Sequence, residues 1–316
     1  MLKLSHTQCS YMQSCPMKYK WKYVDGLEPK KKSSTLTRGK VVHEAFERYF
    51  KGEKSTDILE FIQTSFRDAL KGVSAEDEEE MLLAKYTSLG MVENYPWKEI
   101  EEFESVQPEV AFTAKIPSVH GIWFVGRIDG LIKKNGLWWI REVKTTGSGP
   151  MEAEKRANVS YQASGYVWGE KEGWPCAPVQ GILYDFIFKS RLRKRQTDTA
   201  TSFGERILED YRAHMIDPTT GRTLTRSRMY HRYYAYRSAS QISMFVDDLV
   251  KIAKKIRESK RKNDWVRNPD SCYAFNSACP YLRICFLPRL DKEMVNAYYE
   301  RRVDVREEAT DDNGGK

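Results

Sequence analysis

The chain has 316 residues, 41% of them hydrophobic and 12% aromatic, with a net charge of +8 from 52 Lys and Arg against 44 Asp and Glu. That length can bury a substantial core, in one elaborated domain or two small ones, and the composition is globular. No apolar run approaches the roughly 18 residues of a membrane span, and no apolar signal core follows Met1-Leu2-Lys3, so a cytoplasmic protein without a membrane partner is expected. The basic balance favours a polyanionic partner, nucleic acid first, although it is a weak signal by itself.

Ser5 is a candidate N-cap for a short helix ending near Pro16, with Cys9 and Cys15 in it or just after it. From Met17 to Val24 lysines alternate with Tyr19, Trp21 and Tyr23, which reads as an amphipathic packing segment. A loop rich in Pro, Lys and Ser covers 28–34. Residues 37–50 are expected to be helical, with Val41, Val42, Ala45, Phe46 and Tyr49 on one face, and they carry Gly39-x-x-x-His43. Helices are expected over 57–71 and 75–95, the second opening on an acidic run that suits a helix N-terminus, and a strand over 106–116.

Two β-rich runs, 122–132 and 137–145, then flank Asn135-Gly136, a strong hairpin signal because a type I′ turn needs two residues tolerant of positive φ. With that pair as the loop, Lys134 faces Leu137 and Asp129 faces Glu142. Cross-strand partners share a face with Cβ atoms roughly 4.5–5.5 Å apart. Lys144 joins them on that face, while Val143 points away. Two such carboxylates repel, and a divalent cation between them removes the conflict. Oxygen ligands suit magnesium or manganese, which bring a water nucleophile to a substrate, and Lys144 can orient it or offset transition-state charge. The plainer alternative is a surface hairpin with ordinary charge pairs.

After the hairpin Gly147-Ser148-Gly149-Pro150 breaks the chain, and a helix over 152–171 carries Gln162 and Tyr166 on one face. A buried strand follows over 179–189, then a long irregular stretch, 190–228. It opens on Lys189-Ser-Arg191-Leu-Arg193-Lys194-Arg195, which reads either as a set of DNA phosphate contacts or as a solvated loop. A strand over 229–237, an amphipathic helix over 241–262 and a last helix over 291–301 complete the elements. The expected division is an N-terminal segment, 1–34; a core, 35–268, with a helical insertion at 51–100 and a basic insertion at 190–228; a cysteine segment, 269–301; and a disordered tail, 302–316.

Cys272-x6-Cys279-x5-Cys285 offers three ligands, and Cys15-Pro16 is the natural fourth, with Cys9 its chief rival and Cys176 left over. A Cys-Pro pair recurs at iron–sulfur ligands, while zinc sites prefer tighter paired spacings; zinc and unligated thiols are the alternatives. In a reducing compartment the six cysteines are not expected to form a disulfide framework.

The pattern Gly126-x-x-Asp129…Glu142-Val143-Lys144 resembles the signature of the PD-(D/E)XK nuclease superfamily, without the Pro of its name. With Gly39-x-x-x-His43 before it and Gln162-x-x-x-Tyr166 after it, the order is similar to that of the RecB-type branch. The cysteines resemble the iron–sulfur staple of AddAB-type helicase–nucleases and of CRISPR-adaptation nucleases, though the spacing between Cys272 and Cys279 is looser than usual. The resemblance implies an α/β fold, a mixed central sheet with helices on both sides and a mostly helical cap clipped by a four-cysteine [4Fe–4S] cluster. It further implies a Mg2+ or Mn2+ held by His43, Asp129, Glu142 and the Val143 carbonyl, with Lys144 acting on the water and Gln162 and Tyr166 aligning the phosphate. The activity implied is hydrolysis of DNA, single-stranded or with free ends, by an exonuclease in processing, recombination or repair. DNA-end trimming for CRISPR adaptation and a catalytically silent end-binding module are the alternatives. No Gly-x4-Gly-Lys-Ser/Thr occurs, so a helicase or recombination partner would be a separate chain.

Overall fold

The structure, a computed structural model, describes residues 1–97, 103–173, 178–217, 219–222, 224, 227–274, 277–287 and 289–302. The N-terminal part runs β1 (Leu2–Leu4), α1 (His6–Ser14), α2 (Pro16–Tyr19), β2 (Leu27–Pro29), α3 (Ser34–Phe50), α4 (Ser55–Ala69) and α5 (Ala75–Glu93). The core continues through β3 (Ser105–Lys115), β4 (Ile122–Lys134), β5 (Leu137–Thr146), α6 (Pro150–Asn158), α7 (Tyr161–Gly173), β6 (Val179–Phe188), α8 (Ala200–Ala213), β7 (Tyr230–Tyr236) and α9 (Ala239–Lys262). Small elements close it: β8 (Tyr273–Ala274), β9 (Ser277–Ala278), α10 (Leu282–Cys285), α11 (Lys292–Tyr298) and β10 (Tyr299–Arg301).

Local chemistry accounts for the boundaries. Ser5 and Gln8 form a capping box that starts α1, and the Ser33, Ser74 and Ser238 hydroxyls cap α3, α5 and α9. Val41, Val42, Ala45 and Phe46 form the buried face of α3, as their helical spacing predicts. The stretch expected as one helix over 152–171 is two. The chain breaks at Val159-Ser160, where the Ser160 hydroxyl accepts from the Ala163 N–H and its carbonyl accepts from the Ser164 N–H, starting α7 afresh. The stretch 190–228 is not irregular throughout. It holds α8, whose Phe203, Ile207 and Tyr211, spaced by four, are buried, and which packs on α5. Residues 17–24 are helical and finish in a π-helical turn, with Tyr19, Trp21 and Tyr23 buried. Lys18 and Lys20 lie over the Tyr11 and Trp21 rings, so their stems cover what a bare helix would leave wet. The expected tail from 303 onward lies outside the described residues.

The core is a six-stranded mixed sheet. Asn135 and Gly136 adopt φ of 52° and 74°, as a type I′ turn requires, and join β4 to β5. The register is the one that turn dictates, from Lys134 against Leu137 to Gly130 against Arg141. One step further, where Asp129 would face Glu142, the ladder stops and β4 leaves β5. β3 pairs along β4, and β1 pairs in parallel with residues 122–124, on the edge of β4 that β5 has left. The β3–β4 ladder omits only the pair Glu109–Asp129, and Glu109 has a left-handed φ of 48°. Asp129 thus sits in a fork, outside the register of both ladders. β5 pairs in parallel with β6 across α6 and α7, and β7 closes the sheet antiparallel to β6.

Alternation along β5 and β6 sorts side chains to two faces. Glu142, Lys144 and Tyr184 look toward α7, while Arg141, Val143 and Asp185 lie on the other face. There Arg141, 1% exposed, and Arg232 each donate to Asp185 over 2.8 Å, and the Tyr95 hydroxyl donates to the same carboxylate over 2.8 Å. The Arg141 guanidinium also lies 5.1 and 4.6 Å from the Phe46 and Phe50 ring centres on α3. The helices therefore cover both faces of the sheet.

The two ends of the chain meet. β2 pairs with β10, and the Tyr281 hydroxyl donates to the Leu27 carbonyl. Tyr19 stacks on Trp265, and the Ser14 carbonyl accepts from both Asn268 and Ser271.

Candidate active site

The fork between β4 and β5 positions the first carboxylate. Asp129 Oδ2 accepts the Val143 N–H over 2.8 Å, taking the place of the carbonyl that a continued ladder would supply. The same oxygen lies 3.2 Å from His43 Nδ1, which α3 brings over the fork. Glu142, next on β5, is buried, and its Oε1 meets the Lys144 ammonium. Its Oε2 is buried with no hydrogen-bond partner among the described residues. Lys144 Nζ also donates to Gln162 Oε1 over 2.9 Å, and Gln162 Nε2 donates to the Tyr166 hydroxyl over 2.8 Å. The six residues singled out in sequence thus form one continuous set, built from α3, β4, β5 and α7. Val143 has its N–H committed to Asp129 and its side chain buried on the opposite face.

The electrostatics follow the placement. Burial, and then the Asp129 charge, push Glu142 up to about 7. Burial alone would raise Asp129 too, but His43, the Val143 N–H and Lys144 outweigh it and hold it below the ordinary range. Burial works against the charged forms of His43 and Lys144, yet Asp129 raises the first and Glu142 the second. His6, on α1, was not anticipated. Burial, with the Lys144 charge behind it, brings it down to about 4.

The donor set, two carboxylates and an imidazole around an unpartnered buried oxygen, fits a hard divalent cation. As the side chains stand, no group of three or more His, Cys, Asp or Glu among the described residues is arranged to hold a metal ion. The carboxylates are turned instead to Lys144, His43 and the Val143 N–H.

A family model described as the PD-(D/E)XK nuclease superfamily matches residues 3–286. The chain belongs to the PD-(D/E)XK nuclease superfamily. No curated protein matches it. The superfamily consists of phosphodiesterases that typically use Mg2+ or Mn2+, and membership implies DNA as substrate. Its mixed sheet flanked by helices agrees with the restriction-endonuclease-like fold. Among the described residues no helix is long and apolar enough to cross a membrane.

This nuclease-family chain has a second constellation. Cys15, Cys272, Cys279 and Cys285 line one cavity, together with Lys18, Trp21 and Arg267. The Asn268 N–H donates to Cys15 Sγ over 3.4 Å, and the Cys279 N–H donates to the Cys272 carbonyl over 2.7 Å. Cys9 is not among the lining residues, and burial pushes it up to about 12. Cys176 lies outside the described residues.

The basic run divides. Lys189 is half-buried at the end of β6, and burial, then Arg38, lower its pKa. Arg191, Arg193, Lys194 and Arg195 are exposed, and Lys194 pairs with Glu79 on α5 over 2.6 Å.

Proposed function

We propose that the chain is a metal-dependent DNA exonuclease of the RecB-type branch, acting in DNA processing, recombination or repair, with any helicase supplied by a separate chain. The observation that carries this reading is Glu142 Oε2, buried without a hydrogen-bond partner among the described residues, beside Asp129 at the mouth of the fork. An isolated buried carboxylate oxygen is costly, and a cation relieves that cost.

His43, Asp129, Glu142 and the Val143 carbonyl would hold Mg2+ or Mn2+. Such an ion supplies charge stabilisation at the phosphate and a nucleophile near neutral pH. Asp129 is oriented by the Val143 N–H and orients His43 in turn. Lys144, held protonated by Glu142 and aimed by Gln162, provides a fixed positive charge where negative charge develops on the phosphate. Tyr166, kept protonated by burial, completes the chain Lys144–Gln162–Tyr166 that aligns the phosphate.

The four cysteines would hold a [4Fe–4S] cluster. Their convergence on one cavity from both ends of the chain supports this.

The test is digestion of end-labelled single- and double-stranded DNA. Mg2+ or Mn2+ should release label progressively from ends, EDTA should stop it, and Asp129→Ala should be silent. Full activity in EDTA would overturn the metal assignment, and cutting of closed circular DNA would overturn the exonuclease assignment.

A further inference from the structure

Arg38 lies on the buried face of α3 and is 8% exposed. Its Nε and Nη2 are buried and have no hydrogen-bond partner among the described residues. A guanidinium in that state is costly, because its donors have left water and gained nothing. Tyr211, which faces it, gives its hydroxyl proton to the Phe188 carbonyl. A second cation, Lys189, which follows β6 directly, is also in its neighbourhood.

Lys189 is tied to the end of the catalytic strand. Its N–H donates to the carbonyl of Thr146, the last residue of β5, over 2.8 Å. Its side chain runs along the loop that follows: a Cβ added at Gly147 would meet Lys189 Cδ at 4.0 Å. One at Gly149 would meet Arg191 Nη2 at 3.4 Å, so the loop has small residues where the two cations approach. Gly149 is the N-cap of α6 and offers no side-chain cap, and Pro150 follows at the first helical position. Gly147 lies three residues beyond Lys144, roughly 10 Å at the rise of a strand. At about 3.4 Å of axial rise per nucleotide of one strand, that spans about three nucleotides.

We infer that Arg38, Lys189, Arg191 and the Gly147–Gly149 loop form a subsite for a second, non-scissile backbone phosphate of the DNA strand whose scissile phosphate lies at Lys144. The inference rests on the nuclease reading and deepens it. A phosphate supplies the acceptor that the Arg38 donors lack, and the guanidinium fork suits two of its oxygens at once. Lys189 and Arg191 add charge from the open side, beside an uncapped helix start. Arg193, Lys194 and Arg195 are as exposed as Arg191, but Lys194 is already paired with Glu79, whereas Arg191 Nη2 approaches Gly149.

Two probes of the full chain test the subsite, each on wild type, Arg38→Met and Arg38→Lys. The first is thermal unfolding in EDTA with and without inorganic phosphate. Phosphate should raise the wild-type midpoint, leave Arg38→Met unmoved and partly stabilise Arg38→Lys. Without phosphate, Arg38→Met should be at least as stable as wild type, because an unpaired buried charge has been replaced by an apolar chain of similar length. The second is digestion of oligonucleotides carrying a single neutral methylphosphonate, moved along the strand. One position within about three nucleotides of the scissile bond should raise the wild-type KM about ten- to a hundredfold, the worth of a hydrogen bond to a charged group, with kcat unchanged. The same substitution should have no effect on Arg38→Met. Equal phosphate stabilisation of wild type and Arg38→Met, or loss of folding in Arg38→Met, would overturn the site. A methylphosphonate penalty that persists in Arg38→Met would overturn its assignment to DNA, as would a phosphate response with no sensitive position. Failure of wild type to cleave any DNA would count against the nuclease reading, and the phosphate arm would then decide the anion site alone.

Discussion

Glu142 and Asp185 are both buried carboxylates on adjoining strands, and their surroundings drive them in opposite directions. Asp185 is filled by Arg141, Arg232 and Tyr95, which outweigh burial and hold it below its ordinary value. Glu142 has one oxygen on Lys144 and one without a hydrogen-bond partner among the described residues, and burial pushes it up to about 7. A structural and a functional carboxylate are separated by that difference in satisfaction. Asp185→Asn should therefore cost about 3–5 kcal/mol by leaving two buried guanidinium groups short of charge, measured by denaturant unfolding. Because the folded pKa of Asp185 is depressed, its contribution is present above the unfolded value near 3.8 and is lost as pH falls through the folded one. The wild type should thus lose stability below about pH 4 more steeply than Asp185→Asn. Glu142 was legible in sequence because Asp129 lies on the other arm of the same tight hairpin. Arg141 and Asp185 were not, because their pairing depends on which distant strand adjoins β5, and no local pattern carries that.

Among the elements, the hairpin was the most legible, since Asn135-Gly136 admits one loop and hence one register. The fork that ends the ladder at Gly130 was not, because it comes from β1 taking up the freed edge of β4, and a three-residue strand has no periodicity to read. α8 was missed for a different reason. Its surroundings are rich in Arg, Thr and Gly, although Phe203, Ile207 and Tyr211 give it a helical stripe. At the break between α6 and α7 the Ser160 hydroxyl caps the start of α7, so Ser160→Ala should cost about 1 kcal/mol, the usual worth of a helix cap, in thermal unfolding. The segment after β6 carries a prediction of its own. Replacing Arg191, Arg193 and Arg195 with Ser should weaken DNA binding on all sequences. It should also flatten the slope of log affinity against log salt by about two to three, at about 0.7–0.9 per phosphate contact. An unchanged slope would leave the segment an ordinary loop.

Across the whole molecule, the first and last segments are joined by strand pairing, by Tyr19 on Trp265 and by the hydrogen bonds at Ser14, before any cluster is considered. A link from Cys15 to Cys272, Cys279 and Cys285 would close nearly the whole chain into one loop, worth several kcal/mol on chain-entropy grounds. Freshly purified protein should be brown and contain iron. Cys272→Ala, Cys279→Ala, Cys285→Ala and Cys15→Ala should each bleach it and lower the unfolding midpoint, whereas Cys9→Ala should keep the colour. A colourless, zinc-loaded protein would contradict the cluster and leave the nuclease assignment standing. That assignment is tested most directly by the single-turnover cleavage rate of Glu142→Gln on end-labelled DNA with Mn2+. The substitution keeps the side-chain volume and removes the charge. Even outer-shell partners of a metal are worth 10–100-fold, so the rate should fall by more than about a hundredfold. Cleavage by Glu142→Gln at the wild-type rate would contradict the account.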